Sequence, residues 1–136
     1  MTDYALTTTV ESGFADTVAA TRAALSEQGF GVLTEIDIAA TMKTKLDLDL
    51  DLAPHLILGA CNPQLAARAL AAEPSVGVLL PCNVVVRTLD DNHTLVEAMN
   101  PAIMSQLSDN PVLADVAGQA LALLTHALQQ LNGRSS

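Results

Sequence analysis

Apolar and polar positions along this chain follow two periods, and the switches between them outline a fold. Residues 4–10, Tyr-Ala-Leu-Thr-Thr-Thr-Val, carry β-branched side chains and predict a first strand. Phe14, Val18, Thr21 and Leu25 then recur at helical spacing. Ser12 stands as N-cap, Asp16 adds negative charge to the first turn, and Gly29 is placed to end the helix. Residues 30–36 predict a second strand. A second helix follows over residues 38–46, with Ile38, Met42 and Leu46 four apart, Asp37 able to cap it, and Lys43 and Lys45 near its end. From Leu46 to Leu52 leucine alternates with aspartate. The period is that of a strand, but aspartate disfavours strands, so this stretch reads as a helix end passing into an acidic loop or edge segment.

Beyond Pro54, residues 55–60 predict a third, buried strand, and residues 76–86 and 93–99 two more. Pro81 interrupts the first of these, and Asp90-Asp91-Asn92 makes the turn between them. Each of Asn62-Pro63, Asn100-Pro101 and Asn110-Pro111 pairs a leading N-cap residue with proline, which suits the first helical position. They predict helices over residues 65–72, 102–107 and 112–131. The last carries an apolar stripe of Leu113, Val116, Ala120, Leu124, Ala127 and Leu131. The order is strand, helix, four strands with short helices inserted, then a long helix. This is an α+β fold with an antiparallel sheet and the major helices packed on one face. Continuous apolar runs at 76–80 and 84–86 predict cover on both faces, by helix on one side and a second subunit on the other. No linker or repeat divides the chain, so residues 1–136 read as one domain with an ordered core over about 4–131.

Composition narrows the function. Fifteen acidic residues stand against six basic ones, and aromatics are 2% of the chain. A net charge of −9 without a basic patch or stacking aromatics argues against nucleic acid and against an anionic membrane surface. No run of uninterrupted apolar residues approaches the ~20 of a membrane span. The start, Met1-Thr2-Asp3-Tyr4, has neither the basic nor the apolar part of a signal peptide, and a cytoplasmic protein with reduced thiols is expected.

The candidate chemistry centres on the only two cysteines, each followed by asparagine, in Gly59-Ala60-Cys61-Asn62-Pro63 and Leu80-Pro81-Cys82-Asn83-Val84. Cys61 precedes a helix N-cap, where the positive end of the helix favours a thiolate. The pair is no CxxC, and free cysteine is often simply a small core hydrophobe. Glu35, Lys45, Asn62 and Asn83 are the polar groups grouped with the thiols as a candidate site. Glu35 and Asp37, two apart, would share a strand face, but a solvated strand end or a helix cap explains them as well as acid–base work does. His55, His93 and His126 lack zinc-ligand spacing. Asp47, Asp49 and Asp51 match a calcium loop only in spacing, without its glycine and terminal glutamate. No nucleophile elbow, Walker loop or dinucleotide fingerprint occurs, and no catalytic residue is assigned.

The segments around Gly29–Asp37, Leu58–Pro63 and Leu79–Val86, with Lys43, Lys45 and Asn100-Pro101, resemble the domain-of-unknown-function 302 family. The resemblance runs from about Tyr4 to Met104. It implies a small β-α-β(4)-α fold, related in outline to the TATA-binding-protein and Bet v 1 group, and a homodimer. It implies no activity. Two departures stand out: the acidic alternation at 46–52 is longer than expected, and His55 replaces an aromatic. The leading expectation is a homodimeric domain that binds a small ligand or a protein partner without catalysis. A thiol-based redox or soft-metal protein using Cys61 and Cys82 is the alternative, and a purely structural interaction module the third reading.

Overall fold

In a computed structural model of the chain, residues 3–46 and 53–132 are described. The aspartates of the Leu-Asp alternation lie outside them. Strand β1 (Ala5–Val10) leads to helix α1 (Phe14–Glu27), strand β2 (Gly31–Asp37) and helix α2 (Ile38–Lys45). Strand β3 (His55–Cys61) and helix α3 (Pro63–Ala72) follow. After a 3₁₀ turn at Pro74–Leu79 come strands β4 (Cys82–Asp90) and β5 (His93–Met99), and then helices α4 (Ile103–Leu107) and α5 (Pro111–Asn132). The strands form one antiparallel sheet in the order β1-β5-β4-β3-β2, so α1 carries the chain from one edge of the sheet to the other. The expected α+β class and element order hold.

Local chemistry explains most boundaries. Helix α1 ends in a Schellman arrangement. Gly29 takes φ +83°, its N–H donates to the Ser26 carbonyl, and the Phe30 N–H reaches back to the Leu25 carbonyl. The Asp37 carboxylate caps α2 by accepting from the Ala40 N–H, and Asn62 caps α3 by accepting from the Leu65 N–H. Asn110 does the same for α5 through Val112 N.

Some expectations need correction. Ser12 is not the cap of α1. Gly13 occupies that position, and buried Ser12 instead accepts the Thr94 hydroxyl at its carbonyl. Asn100 forms a turn, with Ala102 preceding α4. Residues 76–80 are not strand. Pro74 opens a 3₁₀ turn that holds Val76 in the core and leaves Val78 exposed, so the apolar run reflects one buried turn and not a two-sided strand. Helix α5 is, by length and composition, apolar enough to cross a membrane. Polar Gln119, Thr125 and His126 hide this from a search for unbroken apolar runs.

Two buried clusters share α5. The larger joins Val10, Leu58, Val84, Val86 and Val96 of the sheet to Ala24 and Leu25 of α1 and to Leu124, Ala127 and Leu131 of α5. The smaller gathers Leu65 and Ala69 of α3, Val76 and Met104 around Leu113, Val116 and Ala120 of α5. An exposed Arg68–Asp115 ion pair links α3 to α5 at 2.6 Å. The opposite face of the sheet carries no major helix. There Arg87 of β4 pairs with Glu97 of β5 at 3.2 Å, beside half-buried Ile57 and Val85.

Gly59 is a packing point of the sheet. A methyl group there would overlap Thr34 Oγ1 and come within 3.0 Å of Pro81 Cγ. Both neighbours are stiff, one β-branched and one a ring. Gly59→Ala is therefore expected to lose about 1–3 kcal/mol of stability, the usual cost of overpacking, read as a lower urea midpoint at unchanged slope.

Candidate functional site

The sheet register decides what the two Cys-Asn motifs do. Ala60 of β3 lies opposite Cys82 of β4, so the Cys82 side chain faces the helices with Ala60, and Cys61, the next residue along β3, alternates to the other face at the strand's end. Both are free. Cys61 is half-buried and Cys82 buried. They line one cavity of about 30 Å³ together with Phe30, Ala60, Asn62, Leu65, Ala66, Ala69, Leu80, Met104, Val116 and Ala120. Its wall draws on both buried clusters, so the cavity sits at the seam where they meet along α5.

The electrostatics of the seam follow from its lining. Burial, and then the nearby Cys61, push the Cys82 thiol from the ordinary 9.0 up to about 11. No basic side chain lines the cavity to offset a thiolate, and the one amide present, Asn62, is committed to capping α3. Cys82 is accordingly a protonated thiol at neutral pH.

The remaining predicted site residues disperse. Asn83 is exposed and pairs with Gly59, on the sheet face opposite Cys82. Glu35 lies opposite Leu58 and forms an ion pair with Arg22 of α1. Asp37 shares that face, as expected, but caps α2, so the two carboxylates are committed to separate structural tasks. Lys45 is exposed at the end of α2, does not line the cavity and is not among the groups acting on Cys82. His93 contacts Asp90 across the turn at 2.8 Å, and His126 is exposed. Among the described residues no three His, Cys, Asp or Glu side chains come together as metal ligands.

Sequence reading missed two features. Met104 lines the same cavity, after a turn at Asn100-Pro101 that leads into α4. A lone methionine on a short helix gives no signal of this. The second is a groove of about 390 Å³ between β1 and α5, lined by Ala5, Leu6, Thr7, Thr8, Thr125, Leu128, Gln129 and Asn132. The order of strands in the sheet exposes this edge, and strand order is not written in the pattern of any one strand. None of these lining residues is charged, in a chain of net charge −9.

The chain matches the family Domain of unknown function DUF302 over residues 6–131, and it belongs to that family. The crystal structure of an uncharacterized conserved DUF302 protein from Bacillus stearothermophilus is similar to it, with 29% sequence identity and a TM-score of 0.84. The match covers 96% of this chain and 99% of the other. No curated protein matches.

The Cys82 thiol makes stability depend on pH with a definite sign. Below about pH 9 folded and unfolded chains both keep the proton and the contribution is fully present. Between about pH 9 and about 11 only the unfolded chain loses it, so stability falls with rising pH. A difference of about two pH units, at about 1.4 kcal/mol each, gives a loss of about 3 kcal/mol. Urea unfolding across this range should show the decline in the wild type and a flatter profile in Cys82→Ala. Asn62→Ala should cost about 0.5–2 kcal/mol through loss of the α3 cap, checked by the same unfolding measurement at pH 7.

Proposed function

We propose that this DUF302 member acts by association and not by catalysis, as a cytoplasmic domain that forms a homodimer through the free edge of β1. The carrying observation is the uncharged groove between that edge and α5. Two copies of a chain with net charge −9 repel one another over most of their surfaces, and a charge-free contact avoids the worst of that repulsion. The open sheet face is less suited, because Arg87 and Glu97 stand in its middle and would have to be desolvated. A cytoplasmic setting accords with two free thiols.

Strand geometry favours a second copy as the occupant. The Asn100 N–H donates to the Tyr4 carbonyl at 2.8 Å, which marks Tyr4–Asn100 as a hydrogen-bonded pair. By alternation Leu6 and Thr8 also face β5, and Ala5, Thr7 and Thr9 direct their N–H and C=O groups outward. A two-fold axis at Thr7 sets Thr7 against its equivalent and Ala5 against Thr9 of the other copy. The two sheets then join as one. The other edge strand, β2, is guarded by a bulge between Val32 and Thr34 and by Glu35 and Asp37. Strand β1 carries no charge, proline or bulge, which are the usual devices that keep an edge unpaired.

Sedimentation equilibrium tests the reading. The wild type should be a dimer at micromolar concentration. Thr7→Pro removes an outward N–H without touching the β1–β5 ladder and should give a folded monomer. Thr7→Lys and Thr7→Glu should each be monomeric alone and should form a mixed dimer when combined. A monomeric wild type, or a Thr7→Pro protein that still dimerises, would overturn the proposal.

A further inference from the structure

Charge is unevenly placed around the edge of β1. Of the described cations, Arg22, Arg68 and Arg87 are each engaged in an ion pair, and Lys43 and Lys45 lie on α2, which follows the opposite edge strand. None lies on β1, which is itself uncharged. Just outside the strand the chain is acidic at both ends, with exposed Asp3 before it and exposed Glu11 after it.

The register of the β1 seam decides where these carboxylates go. With the two-fold axis at Thr7, Ala5 opposes Thr9 of the other copy, and two residues further out Asp3 opposes Glu11. The chain still follows the sheet at both positions. The Tyr4 carbonyl accepts the Asn100 N–H at 2.8 Å, and the Asp3 carbonyl accepts the Asn100 side-chain amide at 3.2 Å. At the other end Val10 pairs with Thr94. Alternation sets Asp3, Ala5, Thr7, Thr9 and Glu11 on one face, the open face on which the Thr7 hydroxyl meets Glu97. Each end of the seam therefore carries two carboxylates, one from each copy, on the same side of the joined sheet.

We propose that these two Asp3–Glu11 pairs make the dimer responsive to ionic strength, so that salt tightens association. The inference rests on the dimerisation reading and names what regulates it. Directly opposite residues of an antiparallel pair hold their β-carbons about 5 Å apart, which leaves the carboxylates roughly 6 Å apart. Two such pairs in water, unscreened, weaken association about tenfold. A Debye length of about 30 Å at about 0.01 M salt leaves the repulsion in place, and one of about 3 Å at about 1 M removes it. The rest of the net charge of −9 acts in the same direction. Strand β1 and the groove lining are uncharged, so the seam offers no attractive ion pair for salt to weaken.

Sedimentation equilibrium of the full-length chain at about 0.01 M and about 1 M sodium chloride tests the proposal. The dissociation constant should fall at least about tenfold at the higher salt. Asp3→Lys turns both repulsive pairs into attractive ones. Glu27→Lys makes the same change in net charge at the exposed last residue of α1, away from β1. At low salt Asp3→Lys should dimerise at least about tenfold more tightly than Glu27→Lys, with both folded by circular dichroism. Adding Glu11→Lys to Asp3→Lys should remove that advantage, because lysine then faces lysine. Equal affinities for Asp3→Lys and Glu27→Lys would overturn the inference. So would a wild-type dimer that weakens or stays constant as salt rises. In both cases a dimer still abolished by Thr7→Pro leaves the dimerisation reading standing, whereas a wild type monomeric at both salt concentrations would overturn the two together.

Discussion

Burial of the apolar stripe of α5 is the constraint on which the rest of the structure depends. The helix rises roughly 33 Å over its length, longer than either buried cluster alone. Its first half supplies Leu113, Val116 and Ala120 to the cluster with α3 and α4, and its second half supplies Leu124, Ala127 and Leu131 to the sheet and α1. Leu113, Leu124 and Leu131 are all fully buried, and each contributes about 1.5–3 kcal/mol relative to exposure. The same composition that would let α5 cross a membrane is here satisfied by protein on its inner side.

That arrangement creates the two places where something can happen. Where the two clusters meet beneath α5, small side chains from β3, α3 and α5 leave a seam, and the sheet register turns Cys82 toward it. Where the far end of α5 overhangs β1, the helix covers the strand's inner face but not its edge. Both features are by-products of one long helix spanning a small α+β sheet. They differ in chemistry because the seam is lined by hydrocarbon and sulfur, and the edge by threonine, amide side chains and unpaired backbone.

Much of the fold is legible from residue order. The Asn62, Asn110 and Asp37 caps and the Gly29 helix end all follow from side chains acting within a few positions, and each is found where local chemistry puts it. Ser12 and the 76–80 run fail for a related reason. Ser12 has a more distant partner in Thr94, and the apolar run is claimed by a turn that packs against α3. In both cases a contact remote in sequence overrides the local preference. Glu35, Lys45 and Asn83 do not gather with the thiols, because Glu35 pairs with Arg22, Lys45 ends the exposed helix α2, and Asn83, though next to Cys82 in sequence, faces the other side of the sheet.

By itself, then, the sequence determined most of the secondary structure and the family, and singled out the two Cys-Asn motifs, because capping, periodicity and the presence of only two cysteines are properties of short segments. Only the tertiary structure decided that β1 is an unguarded edge and that Cys82 faces the helices while Cys61 alternates to the other sheet face. It alone showed that Met104 lines the seam cavity and that Asn62 is already engaged while Asn83 faces away from Cys82. The physical reason is that register and strand order are set by long-range burial against α5. A shift of one residue in either strand would move a cysteine to the opposite face while leaving every local signal unchanged.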